Sequence, residues 1–232
     1  SSWDEANTKA TLTANLDGIS TKDFGAAYET FSGDLLAVWS EAGTNAVGKY
    51  ATRLSGASNF NVNTYDNVSG WCDDMEGVVL AADPGSDRIA LASEQETNGL
   101  LTAVWDGSAW KDIAQPDGGI QENNTEGRSH IALGWAGSSG TAVCAYTDTS
   151  GPSDGLDWAK WTSSTGWVDQ SKNRLSNLLP LDIVEKAFAM ESFTTQGKLL
   201  LLVSDGNSDL FAATFDGTTW TGLAGGALEG TV

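Results

Sequence analysis

Four stretches of this chain repeat one pattern, and that repeat constrains the fold more than any other feature. Each stretch is an apolar strand, a Gly-containing turn, and a second apolar strand that closes on a hydroxyl residue and an acid. They read FGAAYETFSGDLLAVWSE (24–41), VVLAADPGSDRIALASE (78–94), HIALGWAGSSGTAVCAYTD (130–148) and AFAMESFTTQGKLLLLVSD (187–205). A polar loop follows each, then a third strand and a turn into tryptophan. This closing segment is LLTAVWDGSAW to Trp110, LDWAKWTSSTGW to Trp167 and LFAATFDGTTW to Trp220, with a looser NTYDNVSGW to Trp71.

The closing tryptophans Trp71, Trp110, Trp167 and Trp220 are 39, 57 and 53 residues apart, room for three or four short strands in each unit. Asp106-Gly107 and Asp216-Gly217 mark tight hairpins, because Asp and Gly tolerate the positive φ such turns need. The second strands are nearly continuous apolar runs, such as LLLLV at 199–203, the pattern of strands buried on both faces. No segment carries a capped helical period.

The predicted fold is therefore all-β, a β-propeller-type repeat of four units of about 50 residues, each with three or four antiparallel strands. An open β-solenoid or a pair of β-sandwiches are the alternatives. Residues 1–232 form a single repeat domain with units at 4–71, 72–110, 111–167 and 168–220, and 221–232 form a tail or the start of a further unit. Trp3 resembles a closing tryptophan, so the repeat is expected to run past the N-terminal edge.

Ten tryptophans and 40% hydrophobic residues argue against disorder. Against 12 Lys and Arg stand 31 Asp and Glu, a net charge of −19 that repels phosphate backbones and anionic lipid headgroups. Nucleic-acid partners and membrane insertion are thus excluded from the expectation. His130 is the only histidine and no CxxC occurs, which argues against a zinc site. Cys144 lies in an apolar run and reads as a buried thiol. Cys72 falls in a different unit.

The units YETFSGDLLAVW, ADPGSDRIALASE and VWDGSAW resemble repeats of large extracellular proteins of bacteria and archaea with propeller-like folds. Their hairpins are also similar to the Asp-box hairpins of sialidase-like propellers. Thr214, Asp216, Gly217, Thr219 and Trp220 follow that box with one residue fewer between Asp and Gly. The resemblance covers 24–220 and implies architecture and secretion more than activity. The sequons at Asn67 and Asn123 agree with a secreted chain.

Chemistry could sit at two sets of residues. Glu41, Glu94, Asp148 and Asp205 end the second strands; on one face of a ring, four carboxylates would call for a hard cation such as Ca²⁺, which takes six to eight oxygen ligands. The Asp-rich loops around Asp83 and Asp87, Asp154 and Asp157, and Asp205, Asn207 and Asp209 offer local Ca²⁺ sites as an alternative. Trp135, Trp158 and Trp161 exceed what the closing positions need and are the candidates for stacking on sugar rings.

A sialidase-like site would need clustered arginines, whereas Arg53, Arg88, Arg128 and Arg174 occupy unrelated repeat positions. No GxSxG elbow accompanies His130. The expected role is that of a secreted or surface-exposed structural or binding module, not an enzyme, presenting loops to a glycan or protein. A subunit role with further copies of itself in an extracellular assembly is a variant of this, and a sialidase-like glycoside hydrolase is the alternative.

Overall fold

The computed structural model describes residues 11–16, 23–41, 47–64, 75–95, 99–120, 130–137, 140–148, 155–170, 173–179, 187–205, 207, 209–223 and 228. Sixteen strands form four sheets of four, each a meander in chain order. Sheet 1 holds β1 (Phe24–Tyr28), β2 (Leu35–Glu41), β3 (Val47–Arg53) and β4 (Asn61–Thr64). Sheet 2 holds β5 (Met75–Ala82), β6 (Ile89–Gln95), β7 (Leu100–Trp105) and β8 (Trp110–Asp117). Sheet 3 holds β9 (Ile131–Trp135), β10 (Ala142–Asp148), β11 (Gly155–Thr162) and β12 (Gly166–Asp169), and sheet 4 holds β13 (Ala187–Phe193), β14 (Lys198–Ser204), β15 (Leu210–Phe215) and β16 (Trp220–Gly222).

All ladders are antiparallel and no strand crosses between sheets. Each sheet is thus a blade, and the all-β propeller-type repeat holds. The first strands β1, β5, β9 and β13 touch in succession. Around them lies a cavity of about 410 Å³ lined from all four blades, by Thr30, Leu80, Leu133 and Met190 among others.

Period-two alternation explains the packing. In β6, Ile89 and Leu91 join the cluster shared with blade 1, while Ala90 and Ala92 join the one shared with blade 3. In β10, Cys144 and Tyr146 face blade 2, and Val143 and Ala145 face blade 4. A strand with a blade on either side reads as an unbroken apolar run for this reason. At the two ends of the series, Phe24, Tyr28 and Phe193 are exposed on the first strands.

Two boundary expectations change. The tryptophans do not close the units: Trp105 pairs with Trp110 and Phe215 with Trp220, so Trp110 and Trp220 open the fourth strands. The sheets span 24–64, 75–117, 131–169 and 187–222. In the first unit the third strand is VGKYATR, not the NTYDNVSGW segment, whose last seven residues, Trp71 included, lie outside the described residues. Cys144 is a fully buried free thiol, its ionisation pushed far up by burial. Cys72, Asn67, Asn123, Arg128 and Trp3 are likewise outside the described residues.

Candidate functional site

The DG hairpins are built identically. Asp106 Oδ1 accepts the amides of Ser108 and Ala109, and Asp216 Oδ1 those of Thr218 and Thr219, all at 2.8–2.9 Å. Gly107 and Gly217 take φ of 94° and 95°, a region closed to most L side chains. At Asp106 burial pushes the carboxyl up, but the Ser108 hydroxyl and the two amides outweigh it and hold it below its usual value. At Asp216 the Thr219 and Thr218 amides do the same. Each hairpin sets its tryptophan against the preceding blade.

Register then defines one equivalent place at every junction. Leu35, Ile89, Ala142 and Leu199 pair respectively with Arg53, Trp105, Trp161 and Phe215. Three residues earlier in the third strands stand Tyr50, Thr102, Trp158 and Ala212, which by alternation face the following blade. Between blades 1 and 2, Tyr50, Trp105 and Trp110 form an aromatic triad with centroids 5.6–5.9 Å apart. Between blades 3 and 4, Trp158, Phe215 and Trp220 form its counterpart at 5.0–5.9 Å.

A pocket opens beside each triad. The one at blades 1 and 2 measures about 640 Å³, and its walls include Glu29, Asp34, Tyr50, Thr52, Phe60 and Asn61. Trp105 Nε1 donates to Glu29 Oε1 at 2.8 Å, so one carboxylate oxygen is fixed by the buried indole. The pocket at blades 3 and 4 measures about 300 Å³ and is walled by Trp158, Lys160, Gln170, Arg174, Thr218 and Trp220 among others.

The middle junction differs. Thr102 replaces the aromatic residue, and the Arg88 guanidinium lies 5.3 Å from the Trp135 ring centre and 5.1 Å from that of Trp161. Arg88 is held by a 2.7 Å ion pair with the buried Asp83, and Trp161 Nε1 donates to Asp112. An arginine thus fills the space between the aromatic rings of this junction.

These placements correct several expectations. Trp135 and Trp161 are core residues of the middle junction, 0% and 3% exposed, with no face to offer a sugar. Only Trp158 of the three reaches a pocket wall. Tyr50 carries the same position in blade 1; its repeat position in VGKYATR was the available signal.

The four acids do not form a ring of equivalents. In the observed register Glu41, Asp148 and Asp205 align with Gln95, and Glu94 aligns with the hydroxyl residues Ser40, Thr147 and Ser204. A shift of one residue puts Glu94 on the opposite face of its sheet. Three of the acids are engaged locally: Glu41 accepts from Trp39 and lies 4.0 Å from Lys49, Asp148 pairs with Arg174 at 2.8 Å, and Asp205 caps the amides of Asn207 and Asp209.

The described parts of the Asp-rich loops are turns, and Asp154 lies outside the described residues. Asp83 is held by Arg88, and Asp87 Oδ1 accepts the amides of Phe31 and Ser32. Among the described residues no group of three or more His, Cys, Asp or Glu is arranged to hold a metal ion, and Glu41, Glu94, Asp148 and Asp205 form no such group. His130 packs edge-on to Phe188, and Arg53 donates to the Ala57 carbonyl. No helix among the described residues is long and apolar enough to cross a membrane.

The chain matches no known protein family, and no curated protein matches it either. Solved structures do. It superposes on the BP39L lectin of Burkholderia pseudomallei at 14% identity and a TM-score of 0.53, over 86% of this chain and 54% of that one. The fucose-specific lectin of Aleuria aurantia gives 13% and 0.51, over 90% and 64%. The Trypanosoma rangeli sialidase gives 10% and 0.52, over 88% and 38%. The chain therefore spans less than two thirds of each of these neighbours. At such identities the likeness is one of fold, and it agrees with the strand order: the chain is a β-propeller-type repeat.

Proposed function

We propose that this chain is a carbohydrate-binding module that holds sugar rings at the pockets between blades. The observation that carries the reading is the pocket between blades 1 and 2. Partly exposed Tyr50 and Phe60 offer ring surface, and Glu29, Asp34, Thr52 and Asn61 offer hydrogen-bond acceptors and donors around it. Sugars present an apolar C–H face and a rim of hydroxyls, and a site of aromatic surface with a few placed polar groups suits both. Lectins among the structural neighbours, one of them fucose-specific by its own description, support this class of ligand.

Binding fits this site better than hydrolysis. Arg53, Arg88 and Arg174 lie in three different blades and each is engaged with its own blade, so the described residues hold no arginine cluster for a sugar carboxylate of the sialidase kind. Placement outside the cell, and presentation of the blades as part of a larger surface structure, belong to the same proposal.

A glycan array followed by calorimetry on the hits tests it. Tyr50→Ala should weaken binding at the first pocket roughly tenfold, the scale of one aromatic contact, while the melting temperature falls only slightly. An array on which no sugar binds, or a Tyr50→Ala protein with unchanged affinity for every hit, would sink the reading.

A further inference from the structure

The two triad pockets are equivalent by repeat but opposite in charge. Thr52 in blade 1 and Lys160 in blade 3 occupy the same strand position, one residue before Arg53 and Trp161. Among the described residues, the first pocket is walled by two acids, Glu29 and Asp34, and by no Lys or Arg. Among the same residues, the second is walled by Lys160 and Arg174 and by no Asp or Glu.

Arg174 is already matched. It donates to Asp148 at 2.8 Å and lies 3.3 Å from Asp157, and both acids are on the face of the sheet opposite Lys160. Lys160 is half-buried beside Trp158, and the described residues give it no ion-pair partner. The buried Trp220 Nε1–H has no acceptor. The pocket wall therefore includes an ammonium without an ion-pair partner among the described residues, together with the partly exposed ring of Trp220. An unmatched cation in a chain of net charge −19 is a local exception to its electrostatics.

We propose that the pocket between blades 3 and 4 takes an anionic sugar ring, a uronic acid or similar, while that between blades 1 and 2 takes an uncharged one. This rests on the glycan-binding reading above. The ring would lie against the partly exposed Trp220 with its carboxylate at Lys160, a charge-assisted contact stronger than a neutral hydrogen bond. At 0.15 M salt the screening length is about 8 Å, so the contact is set by Lys160 more than by the chain's distant acids.

The test is calorimetry on the whole chain with methyl glucuronide and methyl glucoside at 0.15 M salt, for wild type, Lys160→Gln, Lys160→Arg and Tyr50→Ala. Glucuronide should bind at least tenfold more tightly than glucoside. Lys160→Gln should lose that preference, Lys160→Arg should keep most of it, and Tyr50→Ala should weaken glucoside binding at the first pocket while glucuronide affinity stays as in wild type. Absence of glucuronide binding, or a preference that survives Lys160→Gln at unchanged melting temperature, overturns the proposal. If neutral sugars still bind at the Tyr50 pocket in that case, the glycan-binding reading survives alone; if no sugar binds anywhere, both fall together.

Discussion

The indole of Trp105 in blade 2 donates a 2.8 Å hydrogen bond to the carboxylate of Glu29 in blade 1, joining two residues 76 positions apart. Both are buried, and both line the first pocket. The bond ties the blade interface to the proposed binding surface. Glu29→Leu would strand a buried N–H and should cost about 1–3 kcal/mol, whereas Glu29→Gln keeps an acceptor and should cost less. Urea unfolding of the two variants checks this; equal losses would mean the carboxylate acts through charge and not through the indole.

Arg88 is the bolt of the middle junction. Arg88→Met keeps bulk but leaves Asp83, which is 1% exposed, a buried charge held only by the Gly85 amide and the Ser86 hydroxyl, a loss on the order of 3 kcal/mol. Arg88→Lys should rescue little, because an ammonium does not reproduce the planar guanidinium that sits over both Trp135 and Trp161. Thermal melts should show a drop of about 10 °C for Arg88→Met in a chain of this size. A drop of only a degree or two would show that the ion pair contributes little.

Asp157 predicts a pH effect. Burial pushes its carboxyl up to about 7, Arg174 pulls it back, and Asp148 beside it raises it again. The folded value lies above the ordinary 3.8, so between about pH 4 and 7 the folded state holds a proton that the unfolded state releases. The contribution of Asp157 to stability therefore falls as pH rises through that window. Asp157→Asn removes the group, so its advantage over wild type should grow from pH 5 to pH 8, by several degrees in melting temperature. Parallel pH profiles for the two proteins would refute the assignment.

Gly137 lies at φ 49° against the backbone of Gly197 in blade 4, and a Cβ there would collide with main-chain atoms that cannot swing aside. Gly137→Ala combines that clash with a left-handed conformation and should cost more than 3 kcal/mol. Gly56 has a similar positive φ of 78° but open space around it, so Gly56→Ala should cost no more than about 1 kcal/mol. Comparing the two melts separates contact from conformation.

The sequence showed the blades more clearly than their edges. Apolar runs flanked by turns marked β6 and β10, because burial on both faces leaves no polar alternation to mislead, while the LLLLV run that suggested the same for β14 buries only alternate residues. The tryptophans were visible too, but whether they end a unit or open its last strand depends on pairing, and Trp105 and Trp110 pair with each other. The Ser–acid ending hid a one-residue offset in LASEQ, so Glu94 looked equivalent to acids that face the other way. Trp135, Trp158 and Trp161 are alike as letters. Only their register separates the one that reaches a pocket from the two that fill a junction, and the matching Tyr50 was obscured because its strand, VGKYATR, lacks an apolar run.

Among the described residues the first strands make their main contacts in succession, β1 to β5 to β9 to β13. Energetically such a chain behaves as a short one-dimensional array, with each blade's stability set by itself and by at most two flanks. Blades 2 and 3 are clamped on both sides, whereas the described residues show blades 1 and 4 clamped on one. Opening should therefore start at the rims and move inward, as a helix frays. The two pockets lie at the boundaries between a rim blade and a central one, so a ligand seated in either would act as a staple, binding where the array is first to come apart.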